Sequence, residues 1–170
     1  MGIIFEALGK HHDRTRFSSG QPAHDDWFRK RASQDEKRNL AHTFVAMDDE
    51  MGVVGFYSIS TLSVAFDVIP PEISRKLPRY DEIPAALIGR LARHERVRGK
   101  GLGEMLLTDA LRRILEASKT LQLFVIIVDA KDDKAAAFYT SYGFQRFPNR
   151  PNRLFIQKSV VMSALERSLD

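Results

Sequence analysis

The stretch Arg98-Gly99-Lys100-Gly101-Leu102-Gly103 limits the possible folds more than any other part of this 170-residue chain. It follows an apolar run at residues 85–92, interrupted only by Gly89 and Arg90. It opens an amphipathic pattern over residues 102–121. A strand, a glycine-rich turn and a helix in that order form a phosphate-gripping layout. Glycines let the backbone bend and approach a ligand closely. The first amides of a helix lack internal partners and carry partial positive charge, so they suit an anion. A P-loop is excluded, because no Gly-Lys pair is followed by Ser or Thr. The dinucleotide fingerprint is also missed: Glu104 stands where its last glycine belongs. What remains is Arg98-x-x-Gly101-x-Gly103. A glycine-capped turn with solvated basic residues is the alternative that needs no ligand.

A second segment lies downstream. Residues 123–128 form a short, β-branched apolar run of strand type. Asp132 or Asp133 can then cap a helix that Ala135, Ala136 and Ala137 propagate. Gly143 ends it, and another strand begins at Phe144. In order and separation, the two segments resemble the GNAT acyltransferase superfamily. Arg98-x-x-Gly101-x-Gly103 is similar to its coenzyme A pyrophosphate loop. Ala135, Phe138, Tyr139, Gly143 and Phe144 match its Ala-x-x-Phe-Tyr-x-x-x-Gly-Phe segment.

The resemblance implies an α/β (mixed α+β) fold: one GNAT domain over residues 1–170. Its central, mixed, splayed sheet would have six to seven strands flanked by helices. It implies acetyl-CoA as cofactor. Arg98, Gly99, Lys100, Gly101, Leu102 and Gly103 would hold the pyrophosphate. The strand edge at Leu91, Ala92 and Arg93 would pair with the pantetheine, and a backbone amide near Leu91 or Ala92 would stabilise the oxyanion. Asp132, Ala135 and Phe138 complete the implied cofactor contacts, although many members carry Asn where Asp132 stands. Tyr139 is the implied proton donor to the departing thiolate. A phenol has a reference pKa of about 10 and is protonated at neutral pH. Tyr142 is the weaker candidate, one helical step out of register. Gly101→Glu is expected to abolish cofactor binding by crowding and charge repulsion. No general base stands out. A lysine acceptor, with a pKa of about 10.4, would need one, whereas an α-amine at about 7.7–8.0 is already substantially neutral. An α-amine acceptor is therefore favoured, with water carrying the proton.

The chain has no cysteine, which excludes disulfides, thiolate metal sites and a cysteine nucleophile. His11, His12, His24, His42 and His94 show no zinc spacing. They read as surface or packing residues, and no metal is expected. No run approaches the roughly 18 apolar residues of a membrane helix. Residues 1–6 lack a basic region ahead of a secretory apolar core, and Glu6 stands where a myristoylation signal needs Ser or Thr. A cytoplasmic location without membrane partners is the expectation.

No repeat or interdomain linker is visible. Residues 3–8 read as a strand. Residues 22–39 read as one broken helix or two, with Trp27 and Phe28 inward. Strands follow at 40–47 and 53–64. Residues 65–84 hold four of the seven prolines and form a flap with a short helix at 72–77. The strand at 85–92 leads into the phosphate loop. The next helix sets Leu102, Leu106, Ala110, Ile114 and Ala117 on one face. Closing strands are expected at 144–147 and 154–158, and a final helix at 160–169.

The net charge is +4. Basic residues cluster at Arg29-Lys30-Arg31, at Lys37-Arg38, at Arg75, Lys76 and Arg79, through residues 90–100, and at Arg146, Arg150 and Arg153. Taken singly, each cluster reads as a solvated face. A narrower resemblance gives them a partner. Phe17-Ser18-Ser19-Gly20 with Trp27-Phe28 is similar to the opening of the acetyltransferase toxins of bacterial toxin–antitoxin modules. So are Gly55-Phe56-Tyr57-Ser58-Ile59-Ser60, Ile83-Pro84, Gly89-Arg90-Leu91-Ala92 and Lys131-Asp132-Asp133-Lys134-Ala135, over nearly the whole chain. The last of these makes Asp132 a group trait. The resemblance implies acetylation of the α-amine of aminoacyl-tRNA and a block of translation. It also implies a homodimer neutralised by a ribbon-helix-helix antitoxin, the complex binding operator DNA. Arg90 and Arg93 would meet tRNA near its acceptor end, with Lys30 and Arg38 contributing. Arg93 departs from the apolar residue usual in the group. Two other readings stand beside this one. One is an acetyltransferase for a small amine or a protein N-terminus. The other is a catalytically silent module that binds nucleic acid or a repressor, against which Arg98, Gly101, Gly103 and Tyr139 argue.

Overall fold

Alternating polar and apolar residues, cut by glycine and proline turns, produce a seven-stranded sheet in the order β1-β2-β3-β4-β5-β7-β6, together with helices. The structure is a computed structural model and describes residues 2–168. It agrees with the expected α/β class. The chain forms two compact units: Met1–Ser60 with Ile88–Arg112, and Thr61–Leu87 with Arg113–Asp170.

In the first unit β1 (Ile3–Ala7) pairs antiparallel with β2 (His42–Asp48), Ile3 opposite Asp48 and Ala7 opposite Phe44. β2 pairs antiparallel with β3 (Gly52–Ala65), with a slip at Ala46/Met47. The turn between them needs Gly52, whose φ is 77°, and Asp48 accepts from the amides of Glu50 and Met51. The broken helix resolves into α1 (Pro22–Lys30) and α2 (Ala32–Lys37). Pro22 opens α1, where its missing N–H costs nothing. Trp27 and Phe28 face inward as expected, and join Phe17, Val45, Val53, Phe56 and Ala92 in one core. Phe28 lies parallel to Phe56 with ring centroids 4.1 Å apart, and Phe17 meets both rings edge-on. Two arginines tie the loop before α1 to this core. Arg14 donates to the Phe28 carbonyl at 2.6 Å and to Ser33 Oγ, and Arg29 donates to the Phe17 carbonyl at 2.6 Å.

α4 (Leu102–Ala117) buries Leu102, Leu106, Ala110 and Ile114 as expected. Ala117 does not join them: it is exposed, and Ser118 is buried in its place. A stripe at four-residue steps continues from 114 to 118. The helix stops at Ala117, and the Ser118 hydroxyl donates to the Leu115 carbonyl at 2.7 Å.

The second unit carries the outer part of β3, the first part of β4 (Glu82–Arg93), β5 (Val125–Asp129), β6 (Gln145–Phe147) and β7 (Arg150–Gln157). β7 pairs antiparallel with both β5 and β6. The flap holds a one-turn 3-10 helix at Phe66–Val68 and a short helix, α3 (Pro71–Ser74), one residue earlier than expected. Pro71 fixes its first turn and Pro78 forbids a long one. α5 (Asp133–Ser141) ends before Gly143, whose φ is 97°. α6 (Lys158–Arg167) is the expected final helix begun two residues early; Leu169 lies outside the described residues. No helix is long and apolar enough to cross a membrane.

Phe28→Ala should lower stability by about 3–5 kcal/mol, since it empties one side of a fully buried ring stack. Chemical denaturation reads this as a lowered midpoint. A midpoint equal to that of the native protein would contradict the assigned core.

Candidate active site

The first unit carries the loop expected to meet the pyrophosphate. β4 ends at Arg93, a single 3-10 turn spans Glu95–Val97, and α4 begins at Leu102. Gly99 and Gly101 both adopt left-handed backbone, with φ of 80° and 77°. The first α4 hydrogen bond runs from the Met105 amide to the Gly101 carbonyl, at 3.2 Å. The amides of Gly101, Leu102, Gly103 and Glu104 therefore have no backbone acceptor among the described residues. Four free donors at the positive end of a 16-residue helix are suited to a pyrophosphate.

The cations around this loop fit the same group. Burial lowers the pKa of Arg93, and the Arg98 charge lowers it further. Neither guanidinium makes an ion pair or side-chain hydrogen bond among the described residues. Two like charges within electrostatic reach of each other, both unpaired, favour an anion between them. Space at the glycines is another matter. A Cβ on Gly99 or Gly101 would meet nothing within 4 Å. The protein itself therefore leaves room at Gly101, and backbone conformation is what requires glycine there. Ala92 is buried, and Leu91 and Arg93 are half-buried.

The second unit carries Asp132, Ala135, Phe138 and Tyr139 on one helix start. Asp132 is the N-cap of α5, its Oδ1 accepting from the Ala135 amide at 2.8 Å. That carboxylate oxygen is thereby occupied locally. Phe138 is half-buried, its ring 5.2 Å from that of Tyr139 and 5.1 Å from that of Tyr142. Tyr139 is 6% exposed and packs edge-on against Phe144. A buried tyrosine hydroxyl ordinarily has a hydrogen-bond partner. Among the described residues the Tyr139 hydroxyl makes no hydrogen bond, and its oxygen, unlike that of Thr43, is not sealed from solvent, so it is open to water or a ligand. Tyr142, by contrast, is 39% exposed.

An acidic residue not selected as a site residue from the sequence, Asp129, acts electrostatically on this phenol and is gripped by Arg153. Asp129 ends β5, and Arg153 lies directly opposite it on β7. Their contact is bidentate: Nε to Oδ1 at 2.7 Å and Nη2 to Oδ2 at 2.9 Å. Burial pushes the Tyr139 pKa up, and the Asp129 charge pushes it further. An acidic residue closing the apolar run Val125-Ile126-Ile127-Val128 was the available sequence signal. Arg153 had none, because strand register alone pairs the two.

Arg90, Lys30 and Arg38 all lie in the first unit. Lys30 and Arg38 are exposed on α1 and at the end of α2. Lys30 reaches Asp26 at 3.8 Å. Arg90 is half-buried over the Trp27 ring.

Among the histidines, His12 differs from the surface or packing reading in having a defined polar role. It is 5% exposed, with Nε2 2.6 Å from Glu6 Oε1. His11 Nε2 approaches the same oxygen at 3.5 Å. These three residues converge as metal ligands would. The His12 Nδ1, however, accepts the Gly9 amide at 2.8 Å. That bond leaves the proton on Nε2, directed at Glu6, so no lone pair of His12 faces the trio.

Residues 39–146 match the family described as the acetyltransferase (GNAT) domain. A tRNA-acetylating toxin of Mycobacterium tuberculosis is 39% identical over 144 residues, covering 85% of each chain. A probable toxin TacT of Sinorhizobium fredii is 33% identical over 162 residues, covering 91% of this chain and 90% of its own. AtaT complexed with acetyl-methionyl-tRNAfMet superposes with a TM-score of 0.88 at 23% identity, over 96% of this chain and 99% of that one. A mutant AtaT toxin bound to the C-terminus of the antitoxin AtaR and acetyl-CoA gives 0.80 at 20% identity, over 96% and 98%. The likeness to the two solved structures is one of fold.

Gly101→Glu should weaken acetyl-CoA binding at least tenfold, by left-handed strain of about 1–2 kcal/mol and by a carboxylate among free amides. Gly101→Ala carries the strain alone and should lose less. Calorimetric titration with acetyl-CoA checks both; full affinity in the Glu variant would contradict the loop assignment.

Proposed function

The chain belongs to the GNAT acetyltransferase family, and from that premise we propose that it moves the acetyl group of acetyl-CoA onto the α-amine of an aminoacyl-tRNA. It thereby acts as a translation-blocking toxin. The carrying observation is Tyr139: a phenol whose ring is buried and whose hydroxyl makes no hydrogen bond among the described residues, standing at the motif position of the family's proton donor. The acceptor follows from the likeness, over 85% of the chain, to a tRNA-acetylating toxin.

When bound, acetyl-CoA supplies a thioester carbon open to attack by an amine. Gly101, Leu102, Gly103 and Glu104 offer their amides to its pyrophosphate, and Arg93 and Arg98 neutralise the charge. The backbone at Leu91, Ala92 and Arg93 lines the pantetheine arm, with Gly99 and Lys100 in the loop. In the second unit Asp132 holds the start of α5, the helix that carries Ala135 and Phe138. Tyr139 keeps a proton on Oη and gives it to the departing sulfur. Burial and the Asp129 charge both favour the neutral phenol, so the donor is fully loaded at neutral pH. Arg153 fixes the Asp129 carboxylate and limits its repulsion. An α-amine with a pKa of about 7.7–8.0 needs no protein base, and its proton leaves to water. Arg90, Arg93, Lys30 and Arg38 face the phosphates of tRNA. In this reading the two units act as one domain. The protein works in the cytoplasm as a homodimer and is silenced by a ribbon-helix-helix antitoxin that also binds operator DNA.

The test is transfer of labelled acetyl from acetyl-CoA to a charged tRNA pool, with uncharged tRNA as control. Label on charged tRNA alone supports the reading; label only on free amines or proteins overturns it. Tyr139→Phe should fold and bind acetyl-CoA normally yet lose about 100-fold or more in turnover. Undiminished turnover removes Tyr139 from its role. Because the Tyr139 pKa is raised, the protonated donor persists as pH increases. The rate should climb as the α-amine deprotonates near pH 8 and hold to about pH 10. A falling limb near pH 8–9 in the pH–rate profile would contradict the assignment.

A further inference from the structure

Arg90, like Arg93, is half-buried and makes no ion pair or side-chain hydrogen bond among the described residues, but Arg90 also lies over an aromatic ring. Arg14 donates to the Phe28 carbonyl and Ser33, and Arg153 grips Asp129 with two hydrogen bonds. The exposed Arg29 also has a partner, donating to the Phe17 carbonyl and reaching Asp26. Among the described residues, the Arg90 guanidinium makes neither an ion pair nor a hydrogen bond. It is nevertheless held in place. Its central carbon lies 4.2 Å from the Trp27 ring centroid, well inside cation–π range.

Trp27 is itself fixed on two sides. Its indole N–H donates to Asp35 Oδ2 at 3.0 Å, and its ring stacks on Phe56 at 6.1 Å with the planes 24° apart. Phe56 in turn stacks on Phe28. The Arg90 backbone amide donates to Ser58 Oγ at 3.1 Å, which ties the strand at the same point. A guanidinium thus caps a pile of three aromatic rings and keeps its five N–H donors free.

Partial burial of a cation without a hydrogen-bonding partner is unfavourable. Burial lowers the pKa of Arg90; the Asp35 charge opposes that shift and the Arg31 charge adds to it. An incoming anion removes the penalty. The planar fork matches phosphate or carboxylate oxygens bidentately. The neighbourhood selects a polyanion: Arg29, Lys30, Arg31, Lys37 and Arg38 are all exposed on α1, α2 and their ends.

We propose that Trp27 holds Arg90 as a rigid, unpaired fork that takes one phosphodiester of the acceptor RNA. Trp27 is then a positioning residue and Arg90 the contact. The inference rests on the tRNA reading above and adds to it the residue that orients the contact.

The test measures steady-state acetylation of charged tRNA at several salt concentrations, for the native protein and three variants of confirmed native melting behaviour. Arg90→Gln should raise KM for charged tRNA by about tenfold or more, with a smaller change in kcat and an unchanged KM for acetyl-CoA. It should also reduce the slope of log affinity against log salt by about one. Arg90→Lys keeps the charge without the fork, so the slope should stay native while KM remains raised. Trp27→Phe weakens the platform and should raise KM less, again with a native slope. A native KM and slope in Arg90→Gln overturns the inference alone. A raised KM with a native slope in that variant overturns it in favour of base stacking on the guanidinium. An equal rise in the KM of acetyl-CoA assigns Arg90 to the cofactor instead and overturns it. A native protein that transfers nothing to charged tRNA overturns the proposed function and this inference together.

Discussion

The parallel stack of Phe28 on Phe56 is the contact on which the first unit depends. It joins α1 to β3 through two fully buried rings. Phe17 closes on both rings edge-on and brings with it the loop that Arg29 holds by its Phe17 carbonyl bond. Trp27 extends the stack outward to Arg90 on β4, and Ala92 of the same strand packs into the same cluster. Gly55 completes the arrangement: a Cβ there would lie 3.2 Å from the Ala92 carbonyl and 3.0 Å from a Leu106 methyl. The close approach of β3 to Ala92 and to α4 therefore fixes the strand and the helix that flank the loop from Arg98 to Gly103.

The second unit combines an apolar core with an ion pair at its edge. Its core of Val64, Ile83, Val125, Ile127, Phe147 and Phe155 is ordinary apolar packing. At its edge Asp129 and Arg153 face each other across β5 and β7, and Tyr139 is buried close enough to feel the carboxylate. A lone carboxylate there would oppose ionisation of the phenol strongly. Arg153 in bidentate contact tempers that effect, and burial is the larger cause that keeps the phenol protonated. The electrostatic surroundings of Tyr139 are thus set in part by a pairing between two other residues on neighbouring strands.

Arginines in this protein divide by how their donors are used. Arg14, Arg29 and Arg153 direct theirs at carbonyls, a hydroxyl and a carboxylate within the fold. Arg90, Arg93 and Arg98 direct theirs at no protein acceptor among the described residues. That division separates structural cations from those available to an anionic cofactor or nucleic acid. Composition cannot make it, since both kinds contribute equally to the net charge of +4.

Much of the architecture follows from local chemistry. Gly99 and Gly101 were legible because only glycine adopts positive φ without strain, and Asp132 because a short acceptor before an alanine run caps a helix. The stripe Leu102, Leu106, Ala110, Ile114 was legible as a helical period, and it failed only at Ala117, where the helix ends and the next turn is no longer set by that period. Tyr139 stood out through its motif, and the structure buries its ring. The sequence by itself determined these features because each depends on residues a few positions apart. The pairing of Asp129 with Arg153, the seat of Arg90 on Trp27 and the junction of Glu6 with His12 span 24, 63 and 6 positions. Two of them arise only when distant strands and helices are brought into register. The third depends on the Gly9 turn that aims His12 back at β1. Tertiary structure alone decided them, because a side chain's partner is set by position in space, which no local pattern encodes.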